Sequence, residues 1–287
     1  MTPKMVTHKM AAHKLETGAG VALTALLMAG CASAPTPPTA MPKAGAPPAM
    51  LSTVAGYLPA GAAPSSLSLL PPPPVPGSGA HARDEEASKV ALAQHGGPRW
   101  EQATLDADLA FPAAAETFAC ALGIGVSEAR TPHVYALMRR SLGDLGRSVY
   151  PTKTKYMRAR PFAANGAPQC TPALDVVLRR DGSYPSGHSA VGWGWALILA
   201  EAAPDRADAI LARGRAFGQS RVACNVHWLS DIEEGRVMAS AVVAKLHDQA
   251  EFQADVAAAK GELIAARAAS LKPARDCASE AARLAGG

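Results

Sequence analysis

The chain has 287 residues, 48% of them hydrophobic and 18% charged, enough to bury the core of one domain with an appended segment. Its formal net charge is +4. Setting aside Lys4, Lys9, Lys14 and Glu16 leaves about +2, too little for the basic face or stripe of a general nucleic-acid binder.

The first elements read as an export signal. Lys4, Lys9 and Lys14 precede an apolar run over 18–30, too short for a permanent bilayer span. Leu27-Met28-Ala29-Gly30-Cys31 resembles a bacterial lipoprotein box with Cys31 as the lipidated residue, whereas Ala32-Ser33-Ala34 resembles an ordinary signal-peptidase site. The first reading is preferred, because a Cys directly after small residues at the end of an apolar run has little other explanation. Residues 1–30 are therefore assigned to a signal peptide, and the mature chain to the periplasm or cell envelope, touching a membrane only through a lipid at Cys31. Residues 35–79 contain thirteen prolines, including Pro71 to Pro74, and cannot sustain helical hydrogen bonding. The segment 31–82 is expected to be a tether, or an arm wrapped over the domain.

From residue 83 the composition turns to Ala, Leu, Arg and Glu. Helices are predicted over 83–94, 105–122, 127–145, 189–202, 206–224, 231–250 and 252–267, with Gly and Pro near their ends. Within 236–246, Val237, Ala241, Val242, Ala244 and Leu246 cover one broad side while Arg236, Lys245 and Asp248 stay wet. The expectation is a single all-α domain over 83–287. After Cys31 there remain Cys120, Cys170, Cys224 and Cys277. None has metal-ligand spacing, so no metal is expected. Disulfides are expected, with all three connectivities open.

Three polar clusters interrupt the helical pattern. In the first, Lys153 and Arg160 are seven residues apart; a helix running from Pro151 to Pro161 would place both cations on one face. Such a pair can grip a phosphoryl group, although alone it also reads as a solvated basic face. The second is Gly182-Ser183-Tyr184-Pro185-Ser186-Gly187-His188. Ser186 or a neighbour can cap the next helix, whose free N–H groups form an anion site, with His188 at its mouth as a proton donor. In the third, Ser220-Arg221 is followed by His227 and, four residues on, Asp231. There Arg221 adds a cation, and an Asp on one ring nitrogen fixes the tautomer and frees the other nitrogen to attack.

Together, Lys153-x6-Arg160-Pro161, Pro185-Ser186-Gly187-His188 and Ser220-Arg221-x5-His227-x3-Asp231 resemble the three-part signature of the type 2 phosphatidic acid phosphatase and vanadium haloperoxidase superfamily. The flanks, Gly182-Ser183-Tyr184 and Val222-Ala223-Cys224-Asn225-Val226, are similar to the class A bacterial non-specific acid phosphatases. The resemblance is dense over 150–246 and extends back to about residue 99. It implies an all-helical bundle in which Lys153, Arg160, Arg221, the Ser186 hydroxyl and the Gly187 amide hold phosphate. It also implies that His227 attacks phosphorus, Asp231 orients it, and His188 protonates the leaving oxygen, with no cofactor. Small phosphate monoesters are the implied substrates, and a homo-oligomer the implied assembly.

Two other functions are weighed. A lipid phosphatase acting on phosphatidic acid or an isoprenyl diphosphate usually sets these motifs between membrane spans, but Glu201, Asp205 and Arg206 close the apolar run at 191–199 too early to cross a bilayer. An inactive phosphate-binding surface protein would have no use for two histidines and an orienting carboxylate.

Overall fold

A computed structural model describes residues 55–285, all-α and without a strand among the described residues. The signal assignment, Cys31 and the first half of the Pro-rich segment lie outside the described residues.

The helices, in chain order, are α1 (Ser66–Leu69), α2 (Gly79–Leu92), α3 (Pro98–Leu105), α4 (Ala119–Leu122), α5 (Pro132–Ser148), α6 (Tyr150–Tyr156), α7 (Pro161–Asn165), α8 (Asp175–Leu178), α9 (Gly187–Ala202), α10 (Ala207–Ala223), α11 (Leu229–Leu246), α12 (Ala250–Ala268) and α13 (Cys277–Ala285). Ser78 caps α2 by accepting from the His81 amide, so that helix starts earlier than the composition shift suggests. Pro132 occupies the first turn of α5, where its missing N–H costs nothing.

Helix α9 is the axis of the bundle. It packs against α5, α10 and α11, and Val191, Trp195, Ala196, Ile198 and Leu199 on it are almost fully buried. Burying each large apolar side chain contributes about 1.5–3 kcal/mol. Close approach of α9 and α10 depends on Gly214, where a Cβ would lie 2.3 Å from that of Ala196. Trp195 satisfies its indole N–H on the Met138 carbonyl of α5 at 2.8 Å, so the polar atom of this core residue is paired.

Two expected helices are corrected. The predicted helix 105–122 is interrupted: α3 stops at Leu105, a 3-10 turn spans Ala113–Phe118, and α4 closes at Gly123 in the left-handed region. Pro112, which lacks an N–H, cannot continue the helix. The helix predicted from Pro151 to Pro161 ends at Tyr156, where Met157 turns to φ 40°. Pro161 then opens α7 instead of stopping its predecessor.

The later half of the Pro-rich segment lies on the bundle. Tyr57 and Leu70 are buried in the core. The Tyr57 amide donates to Asp144 at 2.7 Å and its hydroxyl to Asp255 at 2.7 Å. Prolines here lose no hydrogen bond but still offer carbonyls: Pro71 accepts from the Tyr184 hydroxyl at 2.7 Å. Disulfides join Cys120 to Cys277, which fastens α13, and Cys170 to Cys224, close to His227.

Candidate active site

The C-terminus of α10, the N-termini of α9 and α11, and the segment 157–160 converge on one buried site. Ser186 caps α9, its Oγ accepting from the Ser189 amide at 3.2 Å and from the Ser189 hydroxyl at 3.0 Å, so its own O–H is left to donate. Gly187 and His188 form the first turn of α9, whose unused N–H groups face outward along the helix dipole. The Ser186 amide donates to the Asp231 carbonyl at 2.9 Å, joining the starts of α9 and α11.

Asp231, in the first turn of α11, reaches back to accept from the Trp228 amide at 2.9 Å. The same Oδ2 meets Nδ1 of His227 at 3.2 Å. Nε2 of His227 lies 3.0 Å from Nη1 of Arg160. An arginine can only donate, so the hydrogen bonds assign a neutral His227 with its proton on Nδ1 and its lone pair on Nε2.

Arg160 extends from the loop between α6 and α7. Its guanidinium also donates to the carbonyls of Leu178 and Asp181 at 3.0 Å, to Val226 at 2.9 Å and to the Asp181 carboxylate at 2.8 Å. Lys153 joins the same Asp181 carboxylate at 3.3 Å and also donates to the Gly182 carbonyl. The structure thus brings the two cations together through a left-handed turn at Met157 and a shared carboxylate, not along one helical face. Arg221 is buried, and its Nε and Nη1 have no hydrogen-bond partner among the described residues.

Burial pushes Lys153 down to about 8, with Asp181 opposing and Arg160 adding to the shift. Arg221 falls to about 9 through burial and the nearby Arg160. Both stay cationic throughout the acid range. Burial, then the Arg160, Lys153 and Arg221 charges, hold His227 well below the usual imidazole range. His188 is likewise pushed well below it, by burial and then by Arg221. Its Nε2 sits 3.0 Å from the Ala107 carbonyl, which fixes that nitrogen as the proton-bearing one. Asp106, next to Ala107, is anchored by Arg213 at 2.5 Å, Ser220 at 2.6 Å and Gln102 at 2.9 Å.

A cluster of buried cations, a helix N-terminus and a histidine with an oriented lone pair suits an anionic electrophile. The PAP2 superfamily model matches residues 134–253, the span that holds all eight site residues named from the sequence. The chain is 41% identical over 211 residues to an acid phosphatase of Zymomonas mobilis, covering 72% of this chain and 78% of that one. It is 42% identical over 207 residues to a non-specific acid phosphatase of Providencia stuartii (72% and 84% coverage), and 40% identical over 197 residues to one of Salmonella typhimurium (68% and 78%). The chain belongs to the class A acid phosphatases of the PAP2 superfamily. It is accordingly a phosphoric monoester hydrolase. Among the described residues, no helix is long and apolar enough to cross a membrane, and no three His, Cys, Asp or Glu side chains gather as a metal-ligand set.

Sequence reasoning did not single out Arg158, Asp181, Asp84 or Asp106. Arg158 and Asp181 lie inside or beside the motif clusters, but a charged residue in such a string reads as solvated until its burial is known.

Proposed function

We propose that this acid phosphatase hydrolyses small phosphate monoesters without a metal, through a phosphohistidine on His227. The observation that carries the reading is the two-sided hold on His227, with Nδ1 on Asp231 and the Nε2 lone pair toward Arg160. Lys153, Arg160, Arg221, the Ser186 hydroxyl and the Gly187 amide take the phosphate oxygens. When phosphate arrives, Arg160 exchanges its contact with His227 for one with an oxygen, and Nε2 is released to attack phosphorus in line. The P–O bond to the leaving group breaks as His188 protonates the alkoxide. Because Nε2 of His188 is committed to Ala107, Nδ1 is the atom that gives up the proton. Water then attacks the phosphohistidine while His188 takes back a proton, the P–N bond breaks, and inorganic phosphate leaves with His227 restored.

The same reading places the mature protein in the periplasm or cell envelope. The signal-like start and the paired cysteines, Cys120–Cys277 and Cys170–Cys224, support it, with lipidation at Cys31 the preferred form of anchoring.

Hydrolysis of p-nitrophenyl phosphate at acidic pH, with and without EDTA and beside His227→Ala, tests the reading. EDTA-resistant turnover that disappears in the variant is expected. EDTA-sensitive turnover, or activity surviving in His227→Ala, would overturn it.

A further inference from the structure

Asp231 is held on both carboxylate oxygens. Oδ2 takes His227 and the Trp228 amide, while Oδ1 accepts from Nη1 of Arg158 at 2.7 Å. On its other side Arg158 donates Nη2 to Asp84 at 2.7 Å, and Nη1 also reaches the Ser230 hydroxyl at 2.8 Å. Asp84 accepts in turn from the Ser230 amide at 2.8 Å and the Ser230 hydroxyl at 2.6 Å. Charges therefore alternate along a buried chain, Asp231–Arg158–Asp84, that ends on the neutral His227. Asp84 and Asp231 are wholly inaccessible, and the Arg158 side chain is 10% exposed.

Burying two carboxylates and a guanidinium costs more than an ordinary ion pair returns unless every donor and acceptor is matched. Here all four carboxylate oxygens are matched, and the guanidinium is further fixed over the Trp228 ring at 5.3 Å. Arg158 donates to Asp231, Ser230 and Asp84, whereas Arg160, two residues on, turns to Asp181 and His227. One short segment thus supplies a cation to each side of the His227–Asp231 pair.

We propose that Arg158 and Asp84 are positioning residues for phosphoryl transfer, holding the Asp231 carboxylate in the orientation that His227 requires. Through Asp84, α2 becomes part of the working site although it precedes the 134–253 span matched by the superfamily model. The inference rests on the nucleophilic role proposed for His227. It adds that the orienting carboxylate is itself oriented, as outer partners of catalytic groups generally must be.

The charged and titratable groups facing Asp231 are His227 from the loop before α11, Arg158 and Arg160 from the segment after α6, Lys153 from α6, Tyr184 from the loop before α9, and Asp84 across Arg158. Burial raises the Asp231 carboxyl above its ordinary range, and Arg158 is the foremost group opposing that rise. Removing Arg158 raises that pKa further, and the acid limb of activity moves to higher pH. Arg158→Gln, Arg158→Lys and Asp84→Asn would be compared with wild type and His227→Ala by kcat, KM and full pH profiles, with thermal melts for each. Arg158→Gln is expected to lose kcat by roughly 10–100-fold with KM nearly unchanged, and its acid limb is expected to move up. Arg158→Lys should recover part of both, and Asp84→Asn should lower kcat by less, with its acid limb moving slightly the other way because a like charge near Asp231 is gone. An unmoved limb in the folded variants, or activity that falls only with the folded fraction, overturns the positioning role while leaving the His227 reading intact. If Arg158→Gln does not fold, Arg158→Lys and Asp84→Asn decide the question alone. An active His227→Ala removes the basis of both.

Discussion

Nη1 of Arg160 lies 3.0 Å from Nε2 of His227, so the cation proposed to receive a phosphate oxygen also marks the lone pair proposed to attack phosphorus. The two functions sit on adjoining atoms because one guanidinium forks between His227, the Val226 carbonyl and the Asp181 carboxylate. A single ammonium cannot reproduce that fork.

Arg160→Lys therefore keeps the charge and loses the geometry. The expected loss in kcat/KM is on the order of 10²–10³-fold, comparable to removing one preorganised donor from an oxyanion site. Steady-state kinetics on p-nitrophenyl phosphate, with inhibition by inorganic phosphate as a binding readout, measures it. A Lys variant with nearly wild-type kcat/KM would show that charge alone suffices.

Phosphate should raise the pKa of His188. Burial and Arg221 hold this imidazole neutral until the pH is well below its ordinary range, and a bound anion would offset the cations around it. NMR titration of the His188 ring with and without saturating phosphate reads the shift directly, independently of substrate ionisation. An unchanged or lowered pKa would count against His188 as the proton donor.

The same shifts fix the sign of acid instability. His188 and His227 have folded-state pKa values below their unfolded ones, so the stability they contribute is present above about pH 6.5 and is lost as pH falls toward the folded values. Thermal melts of the empty protein are expected to shift down between neutral and mildly acidic pH, and phosphate should oppose the decline. A melting midpoint that does not fall in this window contradicts the assignment.

The eight residues named from the motifs do converge, and their legibility has a simple cause. Ser186 and Gly187 are placed by the start of α9, and Asp231 reaches His227 because four residues make one helical turn. Lys153 and Arg160 were legible as a pair but not in their geometry, since the left-handed Met157 separates them. The chain Arg158–Asp84 was not legible, because Asp84 lies 74 residues from Arg158 and no local pattern joins them. In the fold, Pro112 was a visible breaker within the predicted 105–122 helix, yet the Ala and Leu content around it outweighed that signal.

The arm that begins before Tyr57 is held by close backbone approach. A Cβ on Gly56 would lie 2.0 Å from Oδ1 of Asp144, the carboxylate that accepts from the amides of Tyr57 and Leu58. Gly56→Ala is expected to cost about 1–3 kcal/mol through those lost hydrogen bonds, read as a lower denaturant midpoint with KM unchanged. Unaltered stability would show that the arm contributes little.

The most direct test of the central claim is rapid quenching into base during turnover of a phosphate-labelled monoester at acidic pH, followed by peptide mapping. A phosphoramidate is stable to base and lost in acid, so label that survives base on the peptide carrying His227, and is absent from His227→Ala, is the predicted result. Normal turnover with no label on that peptide, or full activity in His227→Ala, would contradict the account.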